Sequence, residues 1–291
     1  MANTSPMISV LTSTLTFSAP LVLAALGGLC SERSGVINIG LEGKMLGAAC
    51  ATGFVTQATG NAFLGMISGL VTAILLSFLH WLLTQTYRMD HIISGMGINL
   101  LAGGATALVA KTFSNLGSEK MNAFPVAAYW VMAWTAVFGV YWYLKNSRGG
   151  LRLNAVGQDP DKARQMGLKP VKVRFMALLW TGIFTGIAGA LVVSNAGSFT
   201  DNMTAGRGYI ALAALILGGW RPIPAFFACL FFGFLDGVQL QLQGQSLFGQ
   251  TIPVEFWQAL PYLVTILALA GLLGKGVRLP ADSVAHKACL C

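Results

Sequence analysis

Charged residues are scarce in this sequence: 18 Lys and Arg and 10 Asp and Glu stand among 291 positions. Soluble globular domains carry roughly 25% charged residues, whereas this chain has 10% charged and 55% hydrophobic residues and a mean hydropathy of +0.68. The composition therefore excludes a water-soluble protein. A helix that crosses a bilayer needs about 20 apolar residues, and the chain has room for roughly nine such helices joined by short connections.

The sequence also lacks the residue patterns of common reactive sites. Its five cysteines do not show the even spacing of a disulfide framework, and its three histidines lie far apart with no HxxxH spacing. No two carboxylates stand three or four residues apart on an apolar segment, and there is no GxxxxGK(S/T) phosphate loop. These absences argue against a catalytic centre, a metal site and a cofactor in this chain.

Nine runs of residues avoid charge and have the length, or nearly the length, of membrane helices. The run 208–220 is short for a full crossing and suits a tilted, broken or re-entrant helix, so eight or ten spans remain open. We predict an all-α, polytopic bundle that forms one transmembrane domain over residues 1–291. The predicted spans are 7–30, 36–58, 62–86, 91–112, 126–145, 173–195, 208–220, 223–243 and 254–274.

Basic residues set the orientation of the predicted bundle. The stretch from Lys145 to Arg174 holds eight Lys and Arg against two Asp, and short loops rich in Lys and Arg stay in the cytoplasm. Alternating outward from this loop places 14 of the 18 basic residues inside, with Lys44 within a span. Nine spans then put the N-terminus outside and the C-terminus in the cytoplasm. The basic residues left outside are Lys111, Lys120 and Arg207.

Within the basic loop, Gly157 to Leu168 carries the signals of a short capped helix. Asp159 suits an N-cap, Pro160 suits the first helical position, and Gly167 suits a left-handed closing residue. A helix of about two turns is marginal in water by itself, so it needs a surface to dock against. By these signals alone, the segment is either such a docking element or an ordinary capped loop between spans.

Polar residues inside the predicted spans are few, which makes each of them a candidate for a polar pathway. Asn38 and Glu42 stand four residues apart, which predicts that they share one helix face, and Lys44 follows within the same apolar run. A helix N-terminus or the snorkelling Lys44 could instead satisfy Glu42, and Asp236 could simply sit at an interface. The candidate pathway residues are Asn38, Glu42, Asn99, Asn195 and Asp236.

Glycine is abundant, with 35 residues, and several glycines stand four residues apart as in close helix crossings. Some such pairs arise by chance at this density. Glycine-rich spans also suit broken helices that line a cavity, which a bilayer permits only inside the protein. The candidate crossings are Gly43/Gly47, Gly65/Gly69, Gly182/Gly186 and Gly233/Gly237.

Three motifs in order resemble those of ABC-importer permeases of the branched-chain amino acid, ribose and nucleoside superfamily. The run ERSGVINIGLEGKMLGA at 32–48 is similar to the early membrane segment of that superfamily. The segment 157–168 resembles its cytoplasmic coupling loop, and GRGYIALAALILGGWRP at 206–222 resembles its glycine-rich late segment. The resemblance extends over roughly residues 10 to 275.

The resemblance implies one of two permease subunits, a copy or a paralogue, in the plasma (inner) membrane of a prokaryote. It implies two further partners: a cytoplasmic ATP-binding subunit, which would hold ATP and Mg, and an extracytoplasmic solute-binding protein. This chain would not be an enzyme and would bind no nucleic acid. Residues 146–172 would form the coupling loop, with contacts to the ATPase from Gly157, Asp159, Pro160, Ala163, Arg164, Met166 and Gly167.

The pattern at Glu32 to Gly43 looks closest to the nucleoside (simple sugar) branch, because other branches usually carry a different residue where Glu42 stands. A pathway with few charges suits a neutral, hydrogen-bonding solute, since an anion would call for fixed cations in the membrane and we place only Lys44 there. A monosaccharide or a branched-chain amino acid is the alternative substrate. A secondary carrier or channel is the alternative of another class.

Overall fold

The computed structural model describes residues 6–112 and 126–242, together with 246–247, 250–251, 259, 262–264 and 266–267. The described chain is helical apart from one short hairpin ladder. Its helices are α1 (Pro6–Arg33), α2 (Leu41–Thr59), α3 (Ala62–Trp81) followed by a π-helical turn (Leu82–Thr86), α4 (His91–Thr112), α5 (Val126–Asn146), α6 (Arg148–Gln158), α7 (Pro160–Gln165), α8 (Pro170–Ala196), α9 (Arg207–Leu217) and α10 (Pro222–Leu242).

Eight of the nine predicted spans coincide with helices of the described chain, and the ninth, 254–274, lies largely outside it. One boundary was wrong: residues 36–40 are not helical, and the second predicted span begins at Leu41. Within the described ranges, five helices are long and apolar enough to cross a membrane. They are Val10–Arg33, Ala62–Thr86, His91–Thr112, Pro170–Ala196 and Pro222–Gln241.

The helix α9 is too short to be a full span. It has 11 residues, and at 1.5 Å per residue it extends about 16 Å, roughly half of a 30 Å hydrocarbon core. A helix of this length leaves at least one end within the hydrocarbon core, where unpaired N–H and C=O groups are costly. This fits the broken or re-entrant alternative for the run 208–220.

The helix α1 lies at the centre of the bundle, packed between α8, α9 and α10, and its residues 18–32 are buried. The pairs α2–α3 and α3–α8 add a second layer beside it. Two strands, β1 (Ser246–Leu247) and β2 (Gln250–Thr251), form an antiparallel ladder after α10, with Ser246 opposite Thr251. The predicted all-α bundle is thus confirmed in its helices, with this short ladder added.

All four predicted glycine pairs lie at close crossings between helices. A Cβ at Gly182 would lie 2.8 Å from the Cα of Ile74 in α3, and one at Gly233 would lie 2.6 Å from Ser18 in α1. These distances are below contact distance, so the missing side chains let the backbones approach. Gly43 lies in the same way against α4, Gly65 and Gly69 against α2, and Gly186 against α3, while Gly47 and Gly237 meet α3 and α1 at 3.0 and 3.1 Å.

We predict that Gly182→Val destabilises the bundle, because the new side chain must push α8 away from α3. Overpacking of this kind costs about 1–3 kcal/mol, which should lower the midpoint of thermal unfolding in detergent. Gly104→Val is the matched control, since a Cβ there has no described atom within 4 Å. Equal midpoints for the two variants would show that the α3–α8 approach does not depend on this glycine.

Candidate functional site

The carboxylate of Glu42 caps the N-terminus of α9 inside the protein. Glu42 lies in the first turn of α2, and its Oε1 accepts hydrogen bonds from the hydroxyl of Thr204 at 2.6 Å and the amide of Gly206 at 2.9 Å. Its Oε2 accepts from the amide of Gly208 at 2.6 Å. A negative charge is favourable at the positive end of a helix, so the short α9 obtains at one end the partner that it needs.

Asn99 of α4 joins the same two elements from the other side. Its Oδ1 accepts from the amide of Gly43 at 2.8 Å, and its Nδ2 donates to the carbonyl of Ile39 at 3.0 Å and to the hydroxyl of Tyr209 at 2.8 Å. The amide side chain therefore ties α4 to the start of α2 and to the first turn of α9. Asn99 is half-buried, and the predicted pathway role remains a prediction for it.

Asn38 belongs to a buried polar chain and not to the helix face that the sequence predicted. The residue lies in the non-helical stretch before α2, so it does not share a helix face with Glu42. Its Nδ2 donates to the hydroxyl of Ser31 at 3.2 Å, and its Oδ1 accepts from the ammonium of Lys44 at 3.0 Å. Lys44 lies 3.1 Å from Nδ1 of His80 in α3. Both Asn38 and Lys44 are fully buried in this structure.

The last residues of α1 hold the other end of α9. Arg33 donates from Nε and Nη2 to the carbonyl of Trp220 at 2.9 and 2.6 Å, and from Nη1 to the Oδ1 of Asn154 in α6 at 3.1 Å. The carboxylate of Glu32 accepts from the indole N–H of Trp220. Trp220 has a φ of +53°, which a bulky residue rarely adopts, and these bonds hold it there.

A polar cavity of about 250 Å³ opens where α1, α8 and the start of α9 meet. Pro20 inside α1 has no N–H to donate to the carbonyl of Thr16, four residues earlier. The exposed side chain of Asn195 donates to that freed carbonyl across a long 3.4 Å. The backbone carbonyl of Thr16 and the side-chain amide of Asn195 therefore lie at the cavity wall with only this long hydrogen bond between them. The lining residues are Thr16, Phe17, Pro20, Val192, Asn195, Ala196, Thr200, Met203 and Arg207.

A cation, Arg207, lies on the wall of this cavity, whereas the sequence argument placed only Lys44 in the membrane. The guanidinium of Arg207 lies 5.3 Å from the ring centre of Phe17, a cation–π distance. Asp236 of α10 interacts electrostatically with Arg207, which offsets the positive charge. Arg207 had been assigned to an outside loop. The low number of cations therefore does not exclude an anionic solute by itself.

The predicted coupling loop contains two helices, of which the sequence anticipated only the second. Asp159 caps α7 as predicted: its Oδ1 accepts from the amides of Asp161 and Lys162, both at 3.1 Å. The bond from the Lys162 amide, together with its ammonium 3.4 Å from Oδ2, holds the pKa of the Asp159 carboxyl below its usual value. The cap is therefore ionised at neutral pH.

The end of α7 is closed by Gly167 as the sequence predicted. Gly167 has a φ of +81°, its amide donates to the carbonyl of Arg164, and the amide of Leu168 donates to Ala163. These two bonds form a Schellman motif. Ala163 is buried, whereas the side chain of Met166 is 82% exposed, so an apolar side chain stands at the tip of the segment.

Gly157 lies in the last turn of α6 and links this segment to the bundle. A Cβ at Gly157 would lie 2.0 Å from the carbonyl oxygen of Arg33, so α6 approaches the end of α1 as closely as the backbones allow. Arg174 of α8 donates to the carbonyl of Ser34 at 3.3 Å and to the side chain of Gln85 at 2.9 Å. The turn after α1 is therefore enclosed by α6, α8 and the π-helical turn.

The amino-acid sequence matches that of a known protein family. Residues 10–269 match the family model described as branched-chain amino acid transport system, permease component. The chain belongs to this family. It is similar to the guanosine ABC transporter permease protein NupQ of Bacillus subtilis, at 33% identity over 95% of this chain and 96% of the relative. The nucleoside ABC transporter permease protein NupC of Lactococcus lactis is 32% identical over 94% and 95% of the two chains. TsgC13 of Haloferax volcanii, provisionally named a glucose ABC transporter permease, is 33% identical over 94% and 95%.

The permease is a subunit of an ABC importer and a multi-pass protein of the prokaryotic inner membrane, not an enzyme. Of its five predicted pathway residues, the structure places Asn195 on the cavity wall and Asp236 beside Arg207. Asn38 and Glu42 are buried among hydrogen-bond partners around α2 and α9, and Asn99 is half-buried beside them. Glu32 and Arg33 were not singled out in the sequence, although two adjacent ionisable residues at the end of an apolar run were a usable signal.

We predict that Glu42→Gln destabilises the permease, because an amide N–H₂ replaces a charged acceptor among buried N–H and O–H donors. Losing hydrogen bonds to a charged group costs about 1.5–3 kcal/mol, measurable as a lower thermal unfolding midpoint in detergent. Asp90→Asn is the control: Asp90 caps α4 from an exposed position, where asparagine caps as well as aspartate. Equal effects of the two changes would contradict the anchoring role of Glu42.

Proposed function

We propose that this permease forms the membrane pathway of an ATP-driven importer for nucleosides. It would pair with a second permease subunit, a copy or a paralogue, and with an ATP-binding subunit that holds ATP and Mg. An extracytoplasmic binding protein would deliver the solute. We further propose one transmembrane domain over residues 1–291 with nine spans, the N-terminus outside, and residues 146–172 in the cytoplasm, as the distribution of basic residues favours.

The cavity between α1, α8 and α9 supports a neutral, flat, hydrogen-bonding solute. The ring of Phe17 offers an aromatic face, whereas Asn195 and the freed carbonyl of Thr16 offer a donor and an acceptor. The charge of Arg207 is offset by Asp236. Aromatic stacking together with a few placed polar groups is the way in which proteins hold nucleobases. Two relatives whose names specify guanosine or nucleosides favour this class over sugars.

We predict that cells expressing the complete transporter take up labelled adenosine or uridine and that unlabelled nucleosides compete. Asn195→Leu should raise the KM of uptake by about two- to tenfold, the value of one hydrogen bond. Asn146→Leu at the exposed end of α5 is the control and should leave the KM unchanged. Competition by ribose, glucose or leucine alone, with nucleosides inert, would refute the nucleoside proposal and leave the permease family intact.

The contacts also support a route from the coupling segment to the cavity, which we propose as the transport linkage. The helix α7 would dock on the ATP-binding subunit through Asp159, Pro160, Arg164 and Met166, whereas Ala163, which the resemblance included among these contacts, is buried. Its neighbour α6 touches the end of α1 at Gly157 and bonds to Arg33 through Asn154. Arg33 holds Trp220 after the C-terminus of α9, and Arg207 at the N-terminus of α9 lies on the cavity wall. A shift of α6 would then move α9 as a rigid rod.

We predict that Gly167→Val uncouples the transporter, because a β-branched residue resists the positive φ that closes α7. A Cβ at this position meets no described atom within 4 Å, so the effect comes from the backbone and not from a clash. Gly167→Asn is the matched control, since asparagine tolerates this conformation.

The test compares uptake and substrate-stimulated ATP hydrolysis in proteoliposomes that contain the complete transporter. Gly167→Val should insert and assemble normally but lose most of both activities, whereas Gly167→Asn should retain them. Normal activity of the valine variant would show that α7 is not the coupling element. Undiminished uptake without the ATP-binding subunit would instead support a secondary carrier.

A further inference from the structure

A second cavity, of about 490 Å³, lies between α5 and α8 and is walled almost entirely by apolar groups. The hydroxyl of Thr135 on its wall donates to carbonyls of its own helix, at 2.8 and 3.0 Å, so it presents no free donor. We refer to this cavity as the α5–α8 groove. The residues that line it are Cys30, Met132, Thr135, Ala136, Gly139, Val140, Trp142, Tyr143, Trp180, Phe184 and Ile187.

The α5–α8 groove is open beside Gly139 of α5, where a large side chain would fill it. A Cβ at Gly139 meets no atom within 4 Å among the described residues. On the opposite wall, the ring of Trp180 stacks on Phe184, with ring centres 5.9 Å apart, and lies 6.5 Å from Tyr143. An open apolar slot of this kind within a bilayer is filled by a chain that is itself apolar, since leaving it empty forfeits dispersion contacts.

One end of the groove lies beside a basic, amphipathic helix. A Cβ at Gly149 in the first turn of α6 would lie 2.6 Å from the hydroxyl of Tyr143, so α6 begins at the mouth of the groove. Arg148 and Arg152 stand one turn apart and are exposed, with Leu151 between them 59% exposed. The sequence of α6 contains no acidic residue. Exposed arginines beside an exposed leucine are typical of a helix at the membrane–water interface.

We propose that the α5–α8 groove binds one acyl chain of an anionic phospholipid, whose phosphate contacts Arg148 and Arg152. The apolar walls match the hydrocarbon chain. The two guanidinium groups match the headgroup in charge and in geometry, because arginine binds phosphate oxygens in a bidentate manner. Tyr143 and Trp142, at the same end of α5, lie at the boundary where amphipathic rings are favoured. Basic pockets between membrane helices bind anionic headgroups in this way.

The test uses quenching of tryptophan fluorescence by phospholipids with brominated acyl chains. The transporter is purified through a tag on this chain and reconstituted with brominated phosphatidylglycerol or brominated phosphatidylcholine. The signal of Trp142 and Trp180 is isolated as the part that disappears in the variant W142F/W180F. We expect phosphatidylglycerol to quench that signal at a lower mole fraction than phosphatidylcholine. Trp134, which packs against Phe226 outside the groove, should show no such preference.

Two pairs of variants separate the chain site from the headgroup site. Gly139→Leu should fill the groove and abolish the preference for phosphatidylglycerol in the quenching of Trp142 and Trp180, whereas Gly104→Leu should leave that preference unchanged. Arg148→Gln should raise the mole fraction of phosphatidylglycerol for half-quenching by about fivefold, the effect of one basic group at an anionic surface. Lys145→Gln removes the same charge, but the ammonium of Lys145 lies over the ring of Tyr141, 5.5 Å from its centre, so it should have no effect.

Three results would overturn the proposal. Equal quenching by the two lipids would show that Arg148 and Arg152 do not select an anionic headgroup. An unchanged preference for phosphatidylglycerol in Gly139→Leu would show that no acyl chain binds in the groove. Absence of quenching at Trp142 and Trp180 in the assembled transporter would show that a protein surface, such as a second permease subunit, covers the groove.

Discussion

The need to pair buried polar groups within an apolar bundle governs the arrangement of this permease. The first amides of the short helix α9 need partners inside the protein, whereas amides of the turn after α9 bind the carbonyls of Ala214, Leu215 and Ile216. The carboxylate of Glu42 satisfies the amides at one end, and Arg33 binds the carbonyl of Trp220 after the other. Both partners come from the stretch between the end of α1 and the start of α2. A short run of polar residues therefore fixes the position of a broken helix.

Close helix packing makes this pairing possible. The carboxylate of Glu42 reaches α9 because Gly208 lies directly against it, where a Cβ would be 2.6 Å from the Cα of Glu42. Gly43 approaches Asn99 of α4 in the same way. Glycine thus has two effects at this junction: it removes the side chains that would separate the helices, and it brings backbone amides within reach of charged acceptors.

The same junction lies between the helices α6 and α7 and the polar cavity, to which we have assigned the coupling and solute-binding roles as proposals. α6 contacts the turn after α1 through Gly157, and the cavity wall includes Arg207 at the start of α9. Since both ends of α9 are held by charged groups on α1 and α2, the helix has little freedom to move independently of them. The proposed transport linkage depends on this rigidity. Pro20 in α1 leaves the carbonyl of Thr16 without its helical N–H donor, so α1 presents a polar backbone group to the cavity.

The sequence by itself determined the membrane class, eight of the helical segments, the caps of α7 and the family, because hydrophobic runs, capping residues and ordered motifs are local signals. It also marked Glu42, Asn99 and Asn195 as unusual, since polar residues in apolar runs are expensive wherever they lie. Only the tertiary structure decided which of them are sealed and which are open. Glu42 meets Gly208 across 166 positions and Asn195 meets Thr16 across 179, and no local pattern encodes a pairing over such separations. The non-helical setting of Asn38, the position of Arg207 on a cavity wall and the groove at Gly139 likewise follow from how the helices pack, which spacing along one helix cannot specify.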